Sequence, residues 1–133
     1  MNTTYFLNQV MGNVFGTKTT PSIPSKYYLG LSTTTPNISG GNVSEPSPNG
    51  TGYTRVELNN LSEPNNGVIV NDAPVAFPES TANWGTVTHY VVYDSETYGN
   101  LLFFGEFELN RTVEKGTAIM IPRDELVIQL TNS

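Results

Sequence analysis

Residues 85–94, Gly-Thr-Val-Thr-His-Tyr-Val-Val-Tyr-Asp, decide the fold class. β-branched and aromatic side chains occupy both alternating faces of this stretch, the composition of a central strand covered on each side. Residues 96–100 follow as a turn, with Gly99 placed for a positive φ. Residues 101–109, Leu-Leu-Phe-Phe-Gly-Glu-Phe-Glu-Leu, then read as the second arm of a hairpin with the first.

Further strand signals flank this hairpin. In residues 26–32, Tyr27, Leu29 and Leu31 share one face by the period of two. In residues 53–58, Thr54, Val56 and Leu58 face one way, and Tyr53, Arg55 and Glu57 the other. Asn65-Asn66-Gly67 is a turn signal before residues 68–70. Pro74 and Pro78 push residues 75–77 toward a sheet edge, and residues 80–83 turn. Residues 111–116 make another turn, and Pro122-Arg123-Asp124 separates the last two strands, residues 117–121 and 125–130. About eight short strands with turn signals between them predict an all-β fold, an antiparallel β-sandwich of jelly-roll or immunoglobulin-like type, spanning residues 21–133 as one domain.

Residues 1–20 differ. Leu7, Val10, Met11, Val14 and Phe15 recur at helical spacing, with Thr3 or Thr4 available as the cap and Gly16 as the stop. A short N-terminal helix over residues 4–15 is expected, followed by a connector marked by Pro21 and Pro24. An isolated helix of this length is marginal in water, so it must dock on its own β body or on a neighbouring subunit. Deleting it is expected to leave a folded β body that no longer assembles. Residues 33–52 carry almost no apolar side chain and predict a long surface loop, a length often associated with function.

The chain of 133 residues is one domain's worth. Lys and Arg total 6 against 12 Asp and Glu, for a formal charge of −6. That sign is wrong for a nucleic-acid binder. Asn, Thr, Ser, Gly and Pro make up nearly half of the chain, and the Ala, Glu, Lys and Leu of a helical bundle are missing. The absence of cysteine removes disulfides, thiolate metal sites and Cys nucleophiles. No apolar run is long enough to span a membrane, and residues 1–20 lack the basic n-region of a signal peptide.

Catalytic chemistry finds little to work with. His89 is the single histidine, so a Ser-His-Asp triad would have to use it. No G-x-S-x-G elbow is present, and His89 reads as packed mid-strand on the face shared by Val87 and Val91. Asp94, Glu96 and Asn100 offer oxygens around one turn without the spacing of a calcium loop. Glu106 and Glu108 lie about 6.7 Å apart along a strand, within the roughly 6.5–9.5 Å of inverting glycosidases, but any solvated strand face yields that spacing. No phosphate-binding loop occurs. Catalytic, metal-binding and cofactor-binding residues are therefore expected to be none. Sugar contact without hydrolysis fits better, because seven Tyr and one Trp provide stacking faces among many Asn and Thr hydrogen-bonding groups.

One block resembles a known family. Ala76-Phe77-Pro78, Thr81-Ala82-Asn83-Trp84-Gly85-Thr86-Val87-Thr88-His89-Tyr90-Val91-Val92-Tyr93-Asp94 and Gly99-Asn100-Leu101-Leu102-Phe103-Phe104-Gly105 resemble small bacteriophage virion proteins, the phage tail fibre proteins similar to mycobacteriophage gene-product-80 proteins. Tyr27-Tyr28-Leu29-Gly30-Leu31-Ser32-Thr33-Thr34-Thr35-Pro36, Gly52-Tyr53-Thr54-Arg55 and Ile121-Pro122-Arg123-Asp124-Glu125-Leu126 agree with it, so the likeness covers residues 5–130. It implies a non-enzymatic virion protein that assembles as a homo-oligomer, a trimer in the first instance. Its scaffold motif is Phe77, Trp84, Gly85, His89 and Asp94, with Trp84 as an anchor, Gly85 admitting a second backbone, and Phe77 packing the facing sheet. The face of Leu7, Val10, Met11, Val14 and Phe15 would join it to other virion proteins. The 33–52 loop and hairpin tips would face outward, toward host surface glycans. Nucleic acid and membrane are not expected as partners. A capsid decoration or head-fibre protein and a carbohydrate-binding module are the alternatives.

Overall fold

The computed structural model describes residues 1–17 and 23–130. Pro21 of the expected connector lies outside the described residues. One helix, α1 (Thr4–Val14), precedes eight strands: β1 (Tyr28–Ser32), β2 (Val56–Glu57), β3 (Val68–Val70), β4 (Val75–Ala76), β5 (Gly85–Tyr93), β6 (Leu101–Val113), β7 (Met120–Ile121) and β8 (Val127–Gln129). All pairings are antiparallel. The main sheet runs β2-β1-β5-β6, and two ribbons, β3-β8 and β4-β7, form separate pairs.

The ribbons cover one face of the main sheet, giving a sandwich whose second layer is split in two. Leu29 and Leu31 of β1, Tyr90 and Val92 of β5, and Phe103 of β6 pack in one core cluster with Ile121 and Leu126. The Tyr90 hydroxyl ties the layers by donating to the carbonyl of Val127 at 3.1 Å. Leu29, Leu31, Ile121 and Leu126 are fully buried, and each such side chain contributes about 1.5–3 kcal/mol by leaving water. Asn71 stitches the ribbons together. Its side chain donates to the carbonyls of Ala73 and Pro122 and accepts from the Leu126 N–H.

The opposite face of the main sheet is covered more thinly. Val91, Tyr93, Leu101 and Phe104 form a second cluster, with Val43 of the 33–52 loop packed on it. The loop therefore does more than face outward. Its own backbone bonds, Thr33 N–H to Ser44 O and Asn37 N–H to Gly41 O among them, hold it against the sheet.

Helix α1 begins as the sequence predicts. Thr3 is the N-cap and accepts from the Phe6 N–H at 3.2 Å. Its hydroxyl also donates to the Leu101 carbonyl at 2.7 Å, so one side chain both caps the helix and fixes it to β6. Gly16, at φ +66°, follows the last turn. Asn2 bridges to Phe103, and its side chain donates to Gln129 O at 3.0 Å. Residues 2 and 3 are thus joined directly to the β body.

Three expectations change. The strand over residues 53–58 shrinks to Val56–Glu57, and its alternation fails because Tyr53 and Leu58 are both buried in the core. The strand over residues 101–109 continues to Val113, so the turn begins after it. Pairing sums along β5 and β6 explain the third: Val87 opposes Arg111, yet His89 opposes Glu106. Between these pairs β6 advances five residues while β5 advances two, and this odd register shift reverses the alternation. Val87 joins the main core with Tyr90 and Val92. His89 lies on the other face with Val91, not on a face with Val87.

Candidate functional site

Two surfaces stand apart from the packed body. The first is the outer side of α1. Leu7 is 41% exposed, Met11 57%, Val14 70% and Phe15 68%, while Val10 is half-buried. The helix sits beside β6 with Gly12 buried. The helical apolar stripe is therefore divided: Phe6 and Val10 look toward the body, and four large apolar side chains are left to solvent. A cavity of about 530 Å³ lies beside it, between the helix and Ile23, Pro24 and Tyr27. No acidic or basic residue occupies the first or last turn of α1.

The second surface is the end of the sandwich where the 33–52 loop meets the β5–β6 hairpin. β2 pairs with only the first two residues of β1, which leaves the Leu31 N–H on an open edge. The Tyr53 hydroxyl accepts that N–H at 3.0 Å and donates to Glu45 Oε1 at 2.6 Å. Glu45 takes two bonds from Arg55, Nε to Oε1 at 2.9 Å and Nη2 to Oε2 at 2.8 Å. Arg55 Nη1 then donates to the carbonyls of Ser95 and Tyr98 at 2.8 and 2.7 Å. The guanidinium lies 3.5 Å over the Tyr93 ring. Gly30 is required beneath this network, since a Cβ there would meet Glu45 Oε1 at 2.7 Å and the Tyr53 hydroxyl at 2.8 Å.

Burial and the neighbouring Glu45 carboxylate push the Tyr53 phenol up. Burial alone would lower the Arg55 pKa, but the hydrogen bonds and charge of Glu45 outweigh it and the net shift is upward. The hydrogen-bonded pair forms the floor of the network. Above it lies a groove of about 420 Å³, walled by Pro46, Pro48, Thr54, Glu96 and Tyr98. Sequence reading missed Glu45 and Arg55 as partners. The period of two puts Arg55 on one strand face with Tyr53 and Glu57, and the only signal of its role is a rare cation in a chain poor in charge.

The motif residues have internal roles. Trp84 donates its indole N–H to Thr51 O at 2.8 Å and stands edge-on to Tyr53 at 5.3 Å. Phe77 stacks on the other side of Tyr53, with centroids 6.4 Å apart. Gly85 adopts φ +88°, and the nearest atom to a Cβ there is 3.9 Å away. Its backbone conformation, rather than a close approach, accounts for glycine. His89 Nδ1 is 2.7 Å from the Thr88 hydroxyl. Asp94 closes the hairpin by accepting from the Asn100 N–H at 2.7 Å and its Nδ2 at 3.1 Å, which leaves Asp94 directed at its own turn. Glu106 and Glu108 are both exposed. No group of three or more metal-ligating side chains occurs among the described residues, and no helix there is long and apolar enough to cross a membrane.

Residues 2–129 match the family model described as Podophage GP4 fiber I protein gp80. No curated protein matches the chain.

Proposed function

Since this chain belongs to the podophage GP4 fiber I protein gp80 family, a family of phage fibre proteins, we propose that it is a non-enzymatic virion subunit that assembles as a homo-oligomer, a trimer, through the outer face of α1. The observation that carries this reading is the stripe of Leu7, Met11, Val14 and Phe15. These side chains are exposed on a helix whose cap is hydrogen-bonded into β6, so their exposure is built into the fold. Contiguous apolar surface of this kind marks interaction sites. Val10 and the adjoining cavity extend the same surface inward.

The fibre family supports a fibre location over capsid decoration. Low charge and the fibre family support a structural role over catalysis. The hairpin tip and the 33–52 loop lie at the same end of the sandwich as α1, whose cavity Tyr27, Asp94 and Leu102 also line, and contact with the host falls to the parts of that end that assembly leaves open.

Sedimentation velocity of the wild-type chain and of a Met11→Asp, Val14→Asp double variant tests the reading. The wild type is expected to sediment as a trimer and the variant as a folded monomer. A monomeric wild type at tens of micromolar, or a variant that assembles normally, overturns it.

A further inference from the structure

Tyr98 is the most exposed large hydrophobic side chain among the described residues, at 91%, and folding does not account for its position. Its backbone is left-handed, at φ +55°, and Gly99 follows at φ +76°. Two successive left-handed residues favour Asn-Gly, yet an aromatic residue stands first. Strain of this sort persists where the surroundings over-determine it. Here Arg55 grips the turn through the carbonyls of Ser95 and Tyr98, and Asp94 closes it on Asn100. The turn is held in one shape, and the ring is carried outward on it.

The cavity of about 530 Å³ beside α1 has the complementary chemistry. Phe6 and Val10 of α1, Leu102 of β6 and Tyr27 give it apolar walls, and Gln9 and Asp94 supply polar groups. The two Asp94 oxygens each accept one bond from Asn100, and a carboxylate oxygen has a lone pair for a second. A flat apolar body with one hydroxyl donor at its end matches these walls, and tyrosine is the side chain of that form. Tyr98 does not line the cavity of its own chain. Val14, 70% exposed, lines the cavity and also belongs to the outer stripe of α1, so cavity and stripe are one continuous surface. Asp94, at the base of the hairpin that carries Tyr98, puts ring and cavity at the same end of the sandwich.

We propose that Tyr98 of one copy inserts into this cavity of the next copy, its hydroxyl donated to Asp94, so that each socket is completed by a neighbouring chain. Knob and socket are different patches of the surface, which makes the contact heterologous. A heterologous contact generates a ring when its rotation closes, as a trimer requires. Desolvated tyrosines are frequent anchors of protein contacts. The inference rests on the reading of α1 as the assembly face and names the group that docks beside it.

Two measurements on the full chain test it. The chain has no cysteine, so Thr97→Cys and Gln9→Cys chains can be co-expressed and joined with a short bis-maleimide while Tyr98 stays in place. Mass spectrometry is expected to find the link between residues 97 and 9 of different chains as the main product. In sedimentation velocity, Tyr98→Asn, which keeps a residue that tolerates the left-handed backbone, should stay folded by circular dichroism and dissociate about tenfold more readily than wild type. Tyr98→Phe, which keeps the ring, should stay within about threefold. An assembled wild type whose Tyr98→Asn variant dissociates within about twofold of it, or whose links join 97 to 97 or 9 to 9, overturns the socket and leaves the α1 reading standing. A monomeric wild type overturns both.

Discussion

The ring of Tyr90 lies directly across Gly105 on the neighbouring strand, so close that a Cβ on the glycine would stand 2.2 Å from the tyrosine Cζ and hydroxyl. The two are register partners in β5 and β6. Tyr90 has little room to retreat: its ring packs against Phe103 and Phe107, with centroids 6.4 and 5.6 Å away, and its hydroxyl holds the second layer at Val127. A glycine that would ordinarily weaken a strand is here the recess that admits an aromatic tie between layers.

Gly105→Ala is therefore expected to destabilise the fold by about 1–3 kcal/mol through overpacking. Urea denaturation measures it. Tyr90→Leu, Gly105→Ala in combination should recover part of that loss, because the clash is with the ring.

Tyr53→Phe removes the acceptor of the Leu31 N–H and a donor to Glu45. Leaving a buried amide unpaired costs about 1–3 kcal/mol. Loss of protection at the Leu31 amide in hydrogen exchange should accompany the drop in stability.

Arg55→Met removes both donors to Glu45 and frees the carbonyls of Ser95 and Tyr98. Removing one partner of a buried pair is strongly destabilising, by about 3–5 kcal/mol; the partial exposure of Glu45, 21%, places this variant at the lower end. Chemical denaturation should show a lower midpoint, and the hairpin-tip amides should exchange faster than those of β3 and β8.

Burial holds the His89 imidazole below the usual histidine pKa, and the nearby Glu106 carboxylate opposes that shift without reversing it. The unfolded chain thus binds the His89 proton more readily than the folded chain. Stability from this residue is present above the ordinary histidine range, about pH 6.5, and is lost as pH falls through that range toward the lower folded pKa. Calorimetry from pH 7.5 to 5 should show the melting temperature of the wild type falling more steeply than that of His89→Gln.

Periodicity and turn signals together located α1 and the eight described strands, because the helical spacing from Leu7 to Phe15 and the period of two in Tyr27, Leu29 and Leu31 are local signals of what each segment buries. Composition likewise disfavoured cysteine chemistry and nucleic acid before any coordinate was known. The sequence alone also carried the likeness to phage fibre proteins, through the block around Trp84. Tertiary structure decided what local periodicity does not encode. The register shift between Val87 and His89 depends on how many residues the partner strand inserts, so the side of the sheet on which His89 lies is a property of two strands together. Glu45, Tyr53 and Arg55 form one network with the Ser95 and Tyr98 carbonyls, across as many as 43 residues of chain, because an open strand edge and a buried cation each need partners, and folding alone brings those partners within reach.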